Sequence, residues 1–325
     1  MGGMAMYYLS ADGGGTKLST LLFDDQLRLI ASGRAAGTNA TFRPPEDVRA
    51  DMARAIEACL GANPPEIEHA RCTIVGPTDE FIACLRRKTT VRAVSSPSEG
   101  ALALAAGAGV PYGVLALCGT GSDVFLVQPD VHDTIGGWGT ILGDEGSGYD
   151  IGVSALRAAI YAEDGRGEPT MLLPMIYEEW RLQKLWGMVP LVYGSSDPRR
   201  LVASVTQLVS RAAAAGDPVA LSLYRKAAHE MAHMTICLLQ RHDGRFEGPV
   251  VVSGGVWKGS PSMFDCFRRE VLAVFPDAEV LMPVFEPVVG GVVLQAFENG
   301  MQKADFWSSL QRDYHHYRYL LTSGC

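Results

Sequence analysis

Short apolar segments alternate with longer amphipathic ones along this chain, and glycine or aspartate closes most of the short ones. The first three, Tyr7–Ala11, Leu18–Phe23 and Arg28–Ser32, have the length and punctuation of strands in a meander. A helix is predicted from Glu46 to Leu60, because apolar residues recur there at three- and four-residue spacing. Strands that alternate with helices of this length predict α/β layers.

The same order restarts near the middle of the chain. Gly113–Leu117 and Asp123–Val127 are predicted strands on either side of a glycine-rich turn, as in the first half. Two related halves predict two lobes with a ligand cleft between them. We place the N-terminal lobe at residues 1–117 and the C-terminal lobe at 118–302. The last segment, 303–325, contains a predicted helix and is a candidate to pack back on the first lobe.

The later helices and strands follow from the same periodicity. The predicted strands are Cys72–Val75, Val91–Val94, Val250–Val252 and Glu279–Leu281. The predicted helices are Asp79–Arg87, Ser98–Ala108, Gly148–Ala162, Glu168–Trp180, Arg199–Ala215, Pro218–Arg241, Ser262–Val274, Val288–Asn299 and Lys303–Leu321.

Composition narrows the class of protein. The chain has 325 residues, 47% of them apolar, which is enough for two lobes with buried cores. A net charge of −8 argues against nucleic acid or an anionic membrane as the main partner. No apolar run reaches the roughly 20 residues that cross a bilayer, and the start lacks a signal-peptide pattern. Seven scattered cysteines without C-x-x-C spacing fit isolated thiols, so we expect a cytoplasmic protein.

The first candidate site is the segment Asp12–Lys17, which lies between two predicted strands. Its three glycines let the backbone approach a ligand and turn amide groups towards phosphate oxygens. Asp12 is the candidate Mg²⁺ ligand, acting through water because that ion keeps much of its hydration shell. A hairpin turn that needs positive φ would use the same glycines, and glycine count alone does not separate the two interpretations.

The second candidate site, Cys118–Asp123, is a similar glycine-rich turn between two predicted strands at the start of the second half. One glycine turn is weak support for phosphate binding. Two turns at equivalent points of a duplicated pattern favour it, because facing turns can hold a polyphosphate from both sides.

A third segment, Gly136–Gly148, contains six glycines, Trp138 and the adjacent carboxylates Asp144 and Glu145. So many glycines raise the entropy cost of ordering beyond what a connector needs. Trp138 offers a flat face for a sugar ring, and Asp144 offers two acceptors for hydroxyls. The alternative is a helix N-terminus whose acids complement the dipole. A fourth segment, Ser253–Trp257, has a glycine pair that permits close approach of adenine.

Together these motifs resemble a known family. DGGGTK, CGTGSD, GGWGTILGDEGSGYDIG and SGGVWKG, in that order, look like the N-acetylglucosamine kinase branch of the hexokinase/actin superfamily, which is grouped with the BadF/BadG-type ATPases. The resemblance runs from about Leu9 to Phe297. It implies an α/β fold of two ribonuclease H-like lobes, and ATP and Mg²⁺ as cofactors. The implied reaction phosphorylates an amino sugar, N-acetylglucosamine or glucosamine, at its 6-hydroxyl. A homodimer is a further candidate assembly.

The resemblance also assigns roles to individual positions. The positions that it implies for nucleotide binding are Gly13, Gly14, Gly15, Thr16, Lys17, Gly119, Thr120, Gly121, Gly254, Gly255 and Gly259. The positions that it implies for sugar binding are Thr38, Asn39, Ser122, Asp123, Gly137, Trp138 and Asp144.

One position departs from the family pattern. Relatives carry an aspartate after the strand that ends near Val94, and this carboxylate accepts the proton of the sugar hydroxyl. Here an ungapped alignment puts Pro97 at that position, and proline cannot accept a proton. Glu99, Asp123 and Asp144 are the candidate substitutes.

Three other function classes are alternatives. A slow or non-catalytic protein that binds sugar and nucleotide fits the presence of Pro97. An ATPase that activates a radical dehydratase would need cysteines at the lobe junction for an iron–sulfur cluster, and Cys118 is followed by no cysteine until Cys237. A sugar-sensing regulator would carry an N-terminal DNA-binding module, and only about six residues precede the first predicted strand.

Overall fold

A computed structural model describes residues 5–38 and 44–321. Its strands are β1 Tyr7–Gly13, β2 Lys17–Asp24, β3 Leu29–Ala36, β4 Ile67–Ile74, β5 Val91–Ser95, β6 Gly113–Cys118, β7 Ser122–Val127, β8 His132–Gly136, β9 Val250–Ser253 and β10 Val280–Leu281. Its helices are α1 Pro45–Leu60, α2 Thr78–Lys88, α3 Glu99–Ala108, α4 Gly148–Glu163, α5 Leu172–Glu179, α6 Met188–Tyr193, α7 Pro198–Ser204, α8 Thr206–Ala214, α9 Pro218–Arg241, α10 Pro261–Val274, α11 Gly290–Glu298 and α12 Lys303–Asp313.

The first sheet has the strand order β3-β2-β1-β4-β5. Strand β1 is antiparallel to β2 and parallel to β4, which is parallel to β5. Successive side chains of a strand point to opposite faces of the sheet, so β1 contributes side chains to two cores. Leu9 and Ala11 pack in a core with residues of α1 and α2, whereas Tyr8 packs in a second core with residues of α3, α11 and α12.

The second sheet repeats that order. Its strand order is β10-β9-β6-β7-β8. Read from β8, this is the third, second, first, fourth and fifth strand of this half. The first sheet has the same order. The strands β6, β9 and β10 are parallel, and β8 is antiparallel to β7. The predicted duplication is therefore confirmed. Each half forms a five-stranded sheet with the strand order of a ribonuclease H-like lobe.

The chain forms two compact units, with boundaries that differ from the predicted ones. The first unit contains Met1–Gly113 and Pro283–Tyr319, and the second contains Val114–Met282 with the residues from Leu320. The predicted second lobe ended at residue 302, whereas Pro283 and the helix that follows belong with the first unit. The predicted cleft between the halves stays a prediction.

Several elements also differ from the sequence-based expectation. Strand β8 was missed, because His132–Gly136 mixes polar residues with glycine and has no clear alternation. The helix predicted over Arg199–Ala215 is two helices, α7 and α8, that meet at Val205. Helix α12 ends at Asp313, short of the predicted Leu321, and a 3₁₀ turn follows it. No helix in the two described ranges is long and apolar enough to span a bilayer.

Helix α11 approaches strand β1 very closely. The Ser10 hydroxyl donates to the carbonyl of Val288 over 2.6 Å. A Cβ added at Gly291 would overlap the Ser10 Oγ and lie 2.6 Å from the Ser10 Cβ. The glycine is therefore required by packing, since no side chain fits between this helix and the strand.

We expect Gly291→Ala to lower the free energy of unfolding by about 1–3 kcal/mol, the usual cost of forcing atoms into a filled core. Urea denaturation followed by circular dichroism measures this. The control is Gly15→Ala in the same unit, because a Cβ there would meet nothing within 4 Å. Equal stabilities of the two variants would contradict the close approach.

Candidate active site

The β1–β2 turn is held by backbone hydrogen bonds from three directions. The Gly14 amide donates to the Lys17 carbonyl over 2.9 Å, and the Thr38 amide donates to the Gly14 carbonyl over 2.9 Å. The Val75 amide donates to the Gly13 carbonyl over 2.7 Å. A Cβ added at Gly14 or Gly15 would meet nothing within 4 Å. The turn is thus fixed at its base and open on its outer side, as a phosphate-binding loop requires.

Asp12 lies at the end of β1, opposite Thr73 of β4. Burial raises the pKa of its carboxyl to about 6; the Lys17 ammonium opposes this shift, and the Glu286 carboxylate adds to it. Lys17 forms an ion pair with Glu286, which comes from the segment before α11. Sequence reasoning missed Glu286, because 269 residues separate it from Lys17 and no local pattern marks it.

The donor set around Asp12 is compatible with the expected metal. The described residues contain no group of three or more His, Cys, Asp or Glu side chains that could hold a metal ion. A single carboxylate beside an open, amide-lined turn fits Mg²⁺, which binds through one or two carboxylates, its own waters and substrate phosphates. Asp12 therefore fits the role that the resemblance implies.

Two predicted sugar-binding positions follow β3. Thr38 is buried, and its hydroxyl donates to the Val75 carbonyl over 2.9 Å, so in this structure it joins the chain after β3 to the chain after β4. Asn39 lies outside the described residues. Sugar binding by either residue stays a prediction.

Pro97 lies in the segment between β5 and α3. Its carbonyl accepts a hydrogen bond of 2.9 Å from the Thr73 hydroxyl, and Thr73 is the sheet neighbour of Asp12. This segment therefore lies at the same end of the sheet as Asp12. Glu99 begins α3, where the Ser98 hydroxyl accepts from the Ala101 amide over 3.1 Å. A carboxylate in the first turn stabilises the helix dipole, which is a sufficient structural reason for Glu99.

The second turn, Gly119–Gly121, is bonded to the start of helix α4. The Gly148 amide donates to the Gly119 carbonyl over 2.8 Å, and the Tyr149 amide donates to the Thr120 carbonyl over 3.2 Å. The Ser147 hydroxyl caps α4 by accepting from the Asp150 amide over 3.2 Å. The glycine-rich segment after β8 thus ends in a helix N-terminus that is fixed against the turn, and sugar binding by this segment stays a prediction.

Two carboxylates and one guanidinium lie beside this turn. Asp144 is 2% exposed, has a left-handed backbone with φ of 60°, and accepts a hydrogen bond of 2.9 Å from Nη2 of Arg199. Burial raises the pKa of Asp123 to about 6, Asp144 adds to the shift, and Arg199 opposes it. A Cβ added at Gly121 would lie 2.7 Å from that Nη2 atom. The three side chains form one charged group at the start of β7.

Sequence reasoning missed Arg199, which it placed in a predicted helix without a role. Arg199 lies in the first turn of α7, 55 residues after Asp144. Asp197 caps this helix by accepting from the Arg200 amide over 2.9 Å. A buried acid that needs a cation was the available signal, but burial cannot be read from the sequence alone.

The other predicted sugar-binding positions in this unit have different surroundings. The Ser122 hydroxyl is buried and donates to the Glu145 carbonyl over 2.7 Å. Gly137 contacts Asp123, because a Cβ added there would overlap the Asp123 Oδ1. Trp138 is 74% exposed, so a large apolar face is available to a ligand. Ser122 therefore supports the loop, and Trp138 has a face free to stack.

The predicted adenosine segment follows β9. Gly254 has φ of 103°, and a Cβ there would overlap the Cys118 carbonyl oxygen and lie 2.9 Å from the Gly119 amide. Gly255 has space around it, since a Cβ there would meet nothing within 4 Å. The Ser210 hydroxyl donates to the Gly259 carbonyl over 2.7 Å. Gly254 is thus a packing contact with the second turn, and Gly255 is the open position.

The duplicated sheets and paired glycine turns define a two-lobed ATPase of the actin/hexokinase type. Comparison with a protein-family model then identifies the family: residues 11–294 match the BadF/BadG/BcrA/BcrD ATPase family, and the chain belongs to it.

Individual relatives have low sequence identity to this chain. The chain is 25% identical over 302 residues to the N-acetylmuramic acid/N-acetylglucosamine kinase of Clostridium acetobutylicum, covering 90% of this chain and 99% of the relative. It is also 25% identical to the N-acetyl-D-glucosamine kinase of Dictyostelium discoideum, covering 88% of this chain and 97% of the relative. A provisionally named N-acetylglucosamine kinase of Porphyromonas gingivalis has a crystal structure that superposes with a TM-score of 0.67 at 17% identity, over 90% of this chain and all of that one.

We expect Gly254→Ala to lower the free energy of unfolding by about 1–3 kcal/mol and to weaken ADP binding, because the added Cβ displaces the second turn. Gly255→Ala is the matched control for stability, and its change should stay within about 0.5 kcal/mol. Urea denaturation and titration calorimetry measure the two effects. Wild-type stability in Gly254→Ala would show that the turn and this segment do not touch.

Proposed function

We propose that this protein transfers the γ-phosphoryl group of ATP to the 6-hydroxyl of an amino sugar, N-acetylglucosamine or glucosamine. The family and the two curated kinases that align over nearly the whole chain support this proposal. The observation that carries it is the group of Asp123, Asp144 and Arg199, which offers a proton acceptor and a fixed hydroxyl acceptor beside a glycine turn.

Asp123 is the general base in this proposal. A catalytic base works best when its pKa lies near the operating pH, and the pKa of Asp123 is raised to about 6. Asp144 already accepts a hydrogen bond from Arg199, which suits it to orient a hydroxyl rather than to take its proton. Glu99 has a structural role at the start of α3. Asp123 thus compensates for Pro97.

The proposed step is a direct phosphoryl transfer. The sugar O6 forms a bond to the γ-phosphorus while its proton moves to the Asp123 carboxylate. The bond from the γ-phosphorus to the bridging oxygen breaks, and ADP leaves with that electron pair. Such reactions depend mainly on positioning and charge neutralisation. Both glycine turns bind phosphate oxygens, Lys17 supplies a positive charge, and Mg²⁺ held through Asp12 would neutralise phosphate charge when bound. Trp138 stacks on the sugar ring, and Gly255 and Gly259 border the adenosine.

The competing functions make different predictions. A binding protein without turnover would bind sugar and Mg·ATP but release no ADP. A dehydratase activator would need accessible cysteines, whereas Cys118 is buried and its thiol donates to the Gly146 carbonyl over 3.2 Å. The cytoplasmic location and a homodimer belong to the proposal as expectations.

We expect sugar-dependent ADP release with N-acetylglucosamine or glucosamine, and a kcat roughly 10²–10⁴-fold lower in Asp123→Asn because the base is lost. A coupled ADP assay across hexoses and amino sugars measures this. Asp130→Asn, an exposed residue in the β7–β8 turn, is the control and should match wild type. Binding of sugar and Mg·ATP by calorimetry without any ADP release would favour the binding-protein function instead.

The pH dependence follows from the same carboxyl. A base must be deprotonated, so kcat/KM for the sugar should fall about tenfold per pH unit below about pH 6 and level off above it. The pKa of Asp12 is also raised to about 6, so the comparison with Asp123→Asn, and not the wild-type profile alone, assigns the limb to Asp123. In Asp123→Asn the residual rate should lose this acid limb. An unchanged limb in that variant would assign the titration to another group.

A further inference from the structure

We propose that Arg199 is a positioning residue for the sugar: it fixes Asp144 as a hydroxyl acceptor and leaves Asp123 as the carboxylate that exchanges a proton. This inference rests on the proposed function and deepens it, because it assigns separate tasks to two neighbouring acids. Arg199 acts through Asp144 and Asp123, and no transfer of the phosphoryl group is assigned to it.

The geometry of the ion pair is the first support. Nη2 of Arg199 lies 2.9 Å from Oδ2 of Asp144, whose side chain is almost fully buried, while the Arg199 side chain is 24% exposed. Removing one partner of such a pair leaves a buried charge without compensation, which is costly. The carboxylate is therefore held in one place by a donor that cannot lose its proton in proteins.

The backbone around Asp144 shows that its position matters. Asp144 has a left-handed backbone, which few residues other than glycine adopt and which stores strain. The Ser147 amide donates to its carbonyl over 3.1 Å, joining it to the cap of α4. A glycine would adopt this backbone without strain, so we infer that the residue at this position is needed for its carboxylate.

The anchor of the guanidinium is equally well defined. Arg199 follows Pro198 at the start of α7, and this helix packs on α4, whose first residues bond to the second turn. A Cβ at Gly121 would lie 2.7 Å from Nη2 of Arg199 and 2.9 Å from Oδ2 of Asp144. The ion pair thus lies directly against the turn that is proposed to bind phosphate.

The effect of neighbouring charges on the pKa of Asp123 distinguishes a positioning role of Arg199 from a purely structural one. Asp144, from the loop after β8, raises the pKa of Asp123, and Arg199, from α7, lowers it. Although β8 and α9 also pack against β7, these two are the charged groups among the described residues that shift this pKa. Loss of Arg199 leaves two carboxylates without their cation, so the pKa of Asp123 should rise and the acid limb should move to higher pH.

The test compares Arg199→Met, Arg199→Lys and Arg200→Met in the full-length protein. With N-acetylglucosamine and saturating Mg·ATP, Arg199→Met should raise the sugar KM about tenfold or more and move the acid limb of kcat/KM up by roughly one pH unit. The ATP KM should change less than the sugar KM. Arg199→Lys should restore the limb and only part of the sugar KM, because lysine keeps the charge but lacks the planar fork. Arg200→Met, the exposed neighbour, should match wild type.

A folded Arg199→Met protein with an unmoved limb and the wild-type sugar KM would overturn the inference. Should Arg199→Met fail to fold, Arg199→Lys decides: a raised sugar KM with the wild-type limb supports the inference, and wild-type values of both overturn it.

A second readout needs no turnover. In carbon-13 NMR with labelled aspartate, the carboxyl signal that disappears in Asp123→Asn should titrate near pH 6 in wild type and at higher pH in an Arg199 variant that removes the charge. Absence of ADP release by wild type would overturn the proposed function alone. An Asp123 signal that ignores Arg199 would overturn this inference alone.

Discussion

Close approach of backbone to backbone is the constraint on which the candidate site depends. Gly291 lets α11 lie on β1, and Gly254 lets the segment after β9 lie on the turn after β6. At each point a single methyl group would overlap its neighbour, so the glycines set the distance between elements as firmly as large side chains set it in a core. The open glycines of the first turn are different, because their free side faces no protein atom.

Charge is the second organising feature. In the first unit Lys17 pairs with Glu286 and lowers the pKa of Asp12, and in the second Arg199 pairs with Asp144 and lowers the pKa of Asp123. Each unit therefore combines two carboxylates with one cation. In the first unit they lie at the end of the strand before the glycine turn, and in the second at the start of the strand after it. Burial makes each carboxyl harder to ionise, and the cation limits that effect. A change in one charge consequently alters the pKa of the neighbouring carboxyl.

The sequence was informative where structure depends on local pattern. Strand–turn–strand repeats, glycine turns and helical periodicity fix the duplicated sheets, and they placed Asp12, Asp123 and Asp144 at strand or loop ends. It was uninformative where partners are distant in the chain. Glu286 and Arg199 are ordinary charged residues until the fold brings them to Lys17 and Asp144, and the break between α7 and α8 at Val205 has no glycine or proline to mark it. The alignment located the position after β5 and showed Pro97 there, but it does not identify the group that accepts a proton.

The return of residues 283–319 to the first unit has a consequence for synthesis of the chain. One core of that unit packs Tyr8, Leu21 and Phe23 against Val288, Val292 and Leu310, so its two parts are separated by the whole second unit. Domains tend to fold as units while the ribosome emits them. The uninterrupted segment Val114–Met282 can complete its sheet first. One face of the N-terminal sheet keeps its apolar side chains exposed until the last helices are synthesised. A nascent chain of this protein therefore exposes apolar side chains of its first strands until these helices are made, and such surface favours aggregation.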